Sequence, residues 1–97
     1  MALEWIPVRG FISTRNGPLE VDGLAFQIPG FEFMHTWVTP LIDEELFLDY
    51  TVSQWEIGLR IGGHGRTERE AAVSAERLLR KKGIAVCAIV LDGALNG

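Results

Sequence analysis

Apolar and polar positions change rhythm twice along this chain, and each change marks an element. The runs "LAFQI" (24–28) and "FEFMHTWV" (31–38) are rich in aromatic and β-branched residues, which fit a pleated surface. With "PG" at 29–30 as a turn dipeptide between them, they predict a hairpin. Alternation places Phe31, Phe33, His35 and Trp37 on one face of its second strand, and Glu32, Met34, Thr36 and Val38 on the other. "TPLIDEE" (39–45) reads as a connection. Alternation resumes in "LFLDYTVS" (46–53), with Leu46, Leu48, Tyr50 and Val52 opposed to Phe47, Asp49, Thr51 and Ser53. "EIGLRIG" (56–62) repeats the pattern through Ile57, Leu59 and Ile61, so these two runs predict a second hairpin turning near Gln54 and Trp55. All four prolines lie within the first 40 residues, interleaved with Gly10, Gly17, Gly23 and Gly30, which excludes a long helix there.

The period lengthens at Thr67. A threonine followed three residues later by Glu70 is a capping box. Ala71, Ala75, Leu78, Leu79 and Lys82 then follow one helical stripe. Acids open the segment and bases close it, as the helix dipole favours, and Gly83 is a residue able to end it. "IAVCAIVL" (84–91) predicts a strand apolar on both sides, returning to the sheet. The expected fold is α+β, an antiparallel sheet of four to six strands with one helix (about 67–82) packed on one face, in a single domain spanning 1–97.

Composition narrows the class without naming a function. The 97 residues are 47% hydrophobic and 23% charged, ordinary globular usage. The longest apolar run, Ile84 to Leu91, is far short of the ~18 residues a membrane span requires. The opening "MALEWIPVRG" lacks the basic start and apolar stretch of a secretory signal. A lone Cys87 excludes an internal disulfide and suits a reducing compartment, so a soluble cytoplasmic protein is expected, with Cys87 as a small buried hydrophobe. The net charge of −4 divides unevenly: residues 1–56 carry nine acids against two bases, and residues 57–97 carry seven bases against four acids. An acidic chain is a poor general binder of nucleic acid, whose affinity comes largely from neutralised phosphates.

Candidate chemistry centres on "IGGHGRTEREAA" (61–72). A glycine-rich loop leading into a helix N-terminus offers free amides to a phosphate. The P-loop spacing, however, needs a glycine at Arg60 and a lysine at Arg66, and the Thr67 cap competes for the same amides. A structural turn and cap is the preferred reading, with Arg60, His64, Arg66 and Arg69 as candidate anion or nucleic-acid contacts. No metal site is expected, because His35 and His64 share no ligand spacing. No cofactor is implied, and nothing local joins a nucleophile to a base, so the chain reads as non-enzymatic. The candidate partner-binding residues are the acids Asp43, Glu44, Glu45 and Asp49, together with Trp55, an aromatic ring placed at a turn.

The segment "GLRIGGHGRTEREAAVSAERLL" (58–79) resembles the part of HicB-type antitoxin domains in which a hairpin strand ends in a glycine-rich turn and a capped helix follows. It is also similar to the small accessory proteins of phages and prophages, a group that includes anti-CRISPR inhibitors. The second resemblance implies a protein-binding inhibitor of a host defence complex. The first implies the alternative, an antitoxin or nucleic-acid binder using the side that carries Arg60, Arg66, Arg69, Arg77, Arg80 and Lys81. A protein partner is expected, with nucleic acid as the alternative partner, and no membrane. Homodimer and monomer stay equally open: a second copy covers the exposed apolar strand, or the N-terminal strands around Trp5, Phe11 and Phe26 curl over it.

Overall fold

The computed structural model describes residues 4–43, 46–55 and 60–96. It is an α+β fold in which a five-stranded antiparallel meander runs β1 (Ile6–Thr14), β2 (Gly17–Phe26), β3 (Thr36–Asp43), β4 (Leu46–Gln54) and β5 (Arg60–Gly65), each strand beside the next. Two helices follow, α1 (Glu68–Lys82) and α2 (Ile84–Asn96). The main core lies between the sheet and α1, where Phe26, Ile28, Met34, Val38 and Val52 meet Ala71, Ala75 and Leu79.

Two departures from alternation lie in the middle of the chain. Residues 31–38 are not one strand. Glu32–Met34 form a short 3-10 helix, ended by His35 in the left-handed region at φ 47°. Phe31 and Met34 turn inward to close one end of the core, and this burial overrides the strand preference of the aromatic Phe31 and Phe33. The carboxylate of Glu32 accepts from the Gly30 N–H at 3.0 Å, which holds its pKa below the ordinary value. The expected connection at 39–45 is strand as far as Asp43. Pro40 is tolerated because β2 pairs with β3 only through Thr36, Trp37 and Val38, leaving one side of β3 unpaired beyond them.

The outer face of the sheet is covered from within the chain. Trp37 is 2% exposed, and its benzo edge rests on two glycines of the β1–β2 hairpin. A Cβ on Gly23 would stand 2.6 Å from Trp37 Cε3, and one on Gly10 would stand 3.0 Å from Cη2. The hairpin thus lies back over Trp37. Its exposed surface carries a cross-strand pair, Arg9 Nε to Asp22 at 3.0 Å, of the kind worth little in water. Trp5 packs instead on Phe26 in the main core, with ring centroids 5.3 Å apart, and Phe11 remains largely exposed.

On the helix side, the glycine-rich stretch is strand rather than loop. β5 twice carries an extra residue against β4, since Ser53, Val52 and Thr51 pair with Arg60, Gly62 and His64. Gly63 has φ 78°, and a Cβ there would lie 2.8 Å from Ala75 N and 2.9 Å from Ala71 O. At Gly65 the added atom would be 2.5 Å from Ala71 N. The glycines let the backbone of α1 rest on the backbone of β5.

Helix α1 keeps the expected cap, with Thr67 Oγ1 accepting from Glu70 N–H at 3.2 Å. The reciprocal bond differs: Glu70 accepts from the Arg66 N–H at 2.9 Å, one residue earlier than a capping box requires. Leu78, expected on the buried stripe, is exposed, and Ala72 is buried.

The expected strand at 84–91 is α-helix. Gly83, at φ 88°, donates its N–H to Leu79 O and accepts from Cys87 N–H, ending one helix and opening the other. Only Cys87 and Leu91 of α2 are buried. Their spacing of four puts both on one helical face, against α1 and the 3-10 segment. The chain after Gly83 meets a helix flank rather than a strand edge, and this context decides a run whose periodicity is ambiguous.

Close packing at β5 gives a comparison between glycines. Gly63 and Gly30 both have positive φ, but no atom lies within 4 Å of a Cβ on Gly30. Gly30→Ala should cost about 1–2 kcal/mol from backbone conformation alone. Gly63→Ala should cost that plus roughly 1–3 kcal/mol for forcing the helix off the strand. Equal denaturation midpoints for the two variants would show that the helix–strand approach contributes nothing.

Candidate functional site

The largest unaccounted feature of the surface is α2. Ile84, Val86, Ile89, Val90 and Leu95 are all exposed, Ile89 by 73%, and Leu78 of α1 continues the patch. Asp92 is the one charged side chain on the helix. Among the described residues, no helix is long and apolar enough to cross a membrane. These side chains are spread round the helix rather than along one face, leaving more apolar surface in water than isolated surface residues do.

Of the partner-binding residues singled out from sequence, Asp43 and Asp49 lie on the same β3–β4 hairpin, while Trp55 stands at the far end of β4. Asp43 ends β3, while Glu44 and Glu45 lie outside the described residues. Asp49, on β4 opposite Leu41, accepts from the Tyr50 N–H at 2.7 Å. Trp55 stands at the turn after β4 and is 47% exposed. Its backbone N–H donates to His35 O at 2.9 Å, and its indole Nε1 lies 3.3 Å from the Cβ position of Gly10, so one edge of the ring leans on β1.

Of the basic candidates, His64 and Arg69 are brought together. They line a shallow surface groove with Glu70, Val73, Ser74 and Arg77. Arg60 stands at the other end of β5, and Arg66 is exposed between strand and helix. Arg80 is engaged elsewhere, donating to Pro29 O at 3.1 Å with its guanidinium 5.8 Å from the Phe31 ring centroid. It fastens α1 to the 29–31 turn. The amides of the former phosphate-loop candidate lie in a strand and a capped helix start, an arrangement unlike a phosphate cradle. No group of three or more potential metal ligands occurs among the described residues.

Tyr50 is the one group at the helix start with a raised pKa. The hydrogen bond to Glu68 is the main cause, followed by burial and the Glu68 charge. No family model, curated protein or solved structure matches the chain.

Sequence reasoning missed α2 because β-branched residues dominate its first half. The signals that could have found it are the 13-residue distance from Gly83 to Asn96, too long for a typical strand, and the buried pair four residues apart.

Two measurements check the helix start. Thr67→Ala should lower stability by about 0.5–2 kcal/mol with the fold retained; an unchanged melting transition would remove its role as a cap. Tyr50 is the only tyrosine, so ultraviolet titration of tyrosinate reads it directly and should give a pKa above 10.0. Because the folded-state value is raised, the contribution to stability is present below the unfolded pKa and is lost as pH rises through the folded one. Glu68→Gln should bring the titration back towards 10.0; an unmoved curve would exclude Glu68 as the cause.

Proposed function

We propose that this chain is a non-enzymatic protein-binding module that works as a two-fold homodimer joined through α2, presenting its partner-binding residues in duplicate. The observation that carries the reading is the exposed apolar circumference of α2. Its five exposed side chains and Leu78 present on the order of 500 Å² of apolar surface, the upper end of what a monomer leaves in water. A standard interface takes about 800 Å² from each partner and is roughly 65% apolar in homodimers, which requires the same area.

Charge supports a second copy as the occupant. Lys81 and Lys82 stand beside the start of α2, and Asp92 lies in its last turns. An antiparallel crossing centred on Ile89 leaves Asp92, ~60° round the helix, on the flank of the contact, towards the end of the other copy that carries Lys81 and Lys82. The heterologous partner then meets Trp55, Asp49 and the acidic segment 43–45, whose field accelerates association with a basic protein surface. The phage-type inhibitor of a host defence complex is the form of this reading that the likeness at 58–79 supports. The groove lined by His64, Arg69 and Arg77 favours a second reading, an antitoxin-like contact with nucleic acid.

Light scattering across a concentration series should give twice 10.8 kDa. Ile89→Asp, at a site already exposed, should return the chain to 10.8 kDa with its fold retained. A single 10.8 kDa species at every concentration would overturn the dimer. Neutralising Asp43, Glu44, Glu45 and Asp49 together should leave the mass unchanged and reduce salt-sensitive capture of a protein partner from bacterial lysate. Capture of nucleic acid instead, lost with Arg69→Gln and Arg77→Gln, would favour the second reading.

A further inference from the structure

We infer that the cleft between the N-terminal hairpin and the outer face of β3 and β4 is a binding site for a small monocarboxylate with an apolar body, aromatic or branched. This goes beyond the protein-binding reading and uses the opposite side of the sheet from α2. The cleft has a volume of about 210 Å³, more than the ~150 Å³ that admits benzene in an engineered protein cavity. Phe11 and Ile12 of β1 form one wall, and Leu41 and Ile42 of β3 form another.

Its floor is polar. Trp37 pairs with Ser53 and Thr39 with Thr51 across the β3–β4 ladder, so these four side chains form one contiguous patch on the outer face. All four line the cleft. Two of them hold buried polar atoms with no hydrogen-bond partner among the described residues, Trp37 Nε1 and Thr51 Oγ1. Trp37 is 2% exposed and Thr51 5%. The benzo edge of Trp37 is pinned against Gly23 and Gly10, which turns the pyrrole edge, with its N–H, the other way.

Chemistry selects the ligand. An indole N–H only donates, so the facing atom must accept. The Thr51 hydroxyl can donate beside it. Arg60 is the one cation among the lining residues, and no carboxylate lies among those described. Asp49, the next acid on that face of β4, stands opposite Leu41 and accepts from the Tyr50 N–H, so its charge lies at the Leu41 end and directs a bound carboxylate to the Arg60 end. Donors with a guanidinium suit a carboxylate, which accepts at two oxygens, and the apolar walls suit a hydrocarbon body. A buried donor left unpaired is destabilising; here it is the feature a ligand would satisfy.

The test is a titration followed by the indole N–H signals of the whole chain in proton–nitrogen correlation spectra. Three tryptophans give three signals, and the one that survives in both Trp5→Phe and Trp55→Phe belongs to Trp37. Benzoate should shift that signal saturably, and should bind about tenfold more tightly than neutral benzamide, the difference expected of a charge-assisted pair. Inorganic phosphate should give no saturable shift. Thr51→Val removes an unpaired buried hydroxyl, so it should melt no lower than the parent while weakening benzoate by about fivefold. Arg60→Gln should weaken benzoate similarly with the melting transition unmoved. No saturable shift, an equal response to benzamide or phosphate, or unchanged benzoate affinity in both variants would overturn the proposal.

Discussion

The architecture depends on the contact between two backbones, that of β5 at Gly63 and Gly65 and that of the first turns of α1. A side chain at either glycine would enter the helix main chain, so the helix can sit this low only because the strand presents no Cβ there. The helix is matched to it, since Ala71, Ala72 and Ala75 are fully buried and nothing larger than alanine spaces the layers at that point. Strand and helix are joined by Arg66 and Thr67 alone, and the Thr67 cap begins the helix at once. The direction this sets carries α1 across β4 and β3, brings Arg80 to the Pro29 carbonyl, and delivers Gly83 to the place where α2 turns beside the 3-10 segment.

How legible an element was depended on whether its determinants are local. The α1 boundaries could be read because an N-cap hydroxyl and a terminal glycine act within a few residues. β4 could be read because one of its faces is in the core and alternation records that directly. α2 could not, because Ile84, Val86, Ile89 and Val90 prefer a strand locally and only the flank of α1 makes them helical. The 3-10 segment was hidden for the same reason: Phe31 and Phe33 favour a strand locally, and only the core that Phe31 and Met34 close makes the segment turn.

The candidate site shows a sharper limit. "IGGHG" has the same letters whether glycine exposes amides to an anion or admits a helix against a strand. What distinguishes the cases is the atom opposite the missing Cβ, and for Gly63 and Gly65 that atom belongs to α1, which follows in sequence but is placed by the whole fold. Trp55 illustrates the reverse. A large ring just past the end of a strand has little core to enter, and Trp55 stands 47% exposed there.

The two faces of the sheet are finished in opposite ways, and this separates their roles. On the helix side the polar groups at the start of α1 are capped and the core is closed, but the closing element, α2, has more apolar surface than the chain can cover. On the outer side the apolar indole of Trp37 is covered, while polar atoms beneath the hairpin are not paired. The hairpin is joined to β3 by three residue pairs and held over the face by Trp37 resting on Gly10 and Gly23. Closing the hairpin and forming the cleft are therefore one event, because Phe11 and Ile12 supply a wall only when β1 lies back over β3 and β4. A molecule that pairs with Trp37 Nε1 and Thr51 Oγ1 binds the closed form alone, and by mass action it must stabilise the hairpin that creates its site. Arg60 borders this cleft and also a second one on the helix side, lined by Leu78, Lys82 and Val90 of the two helices, and is the single residue common to the two.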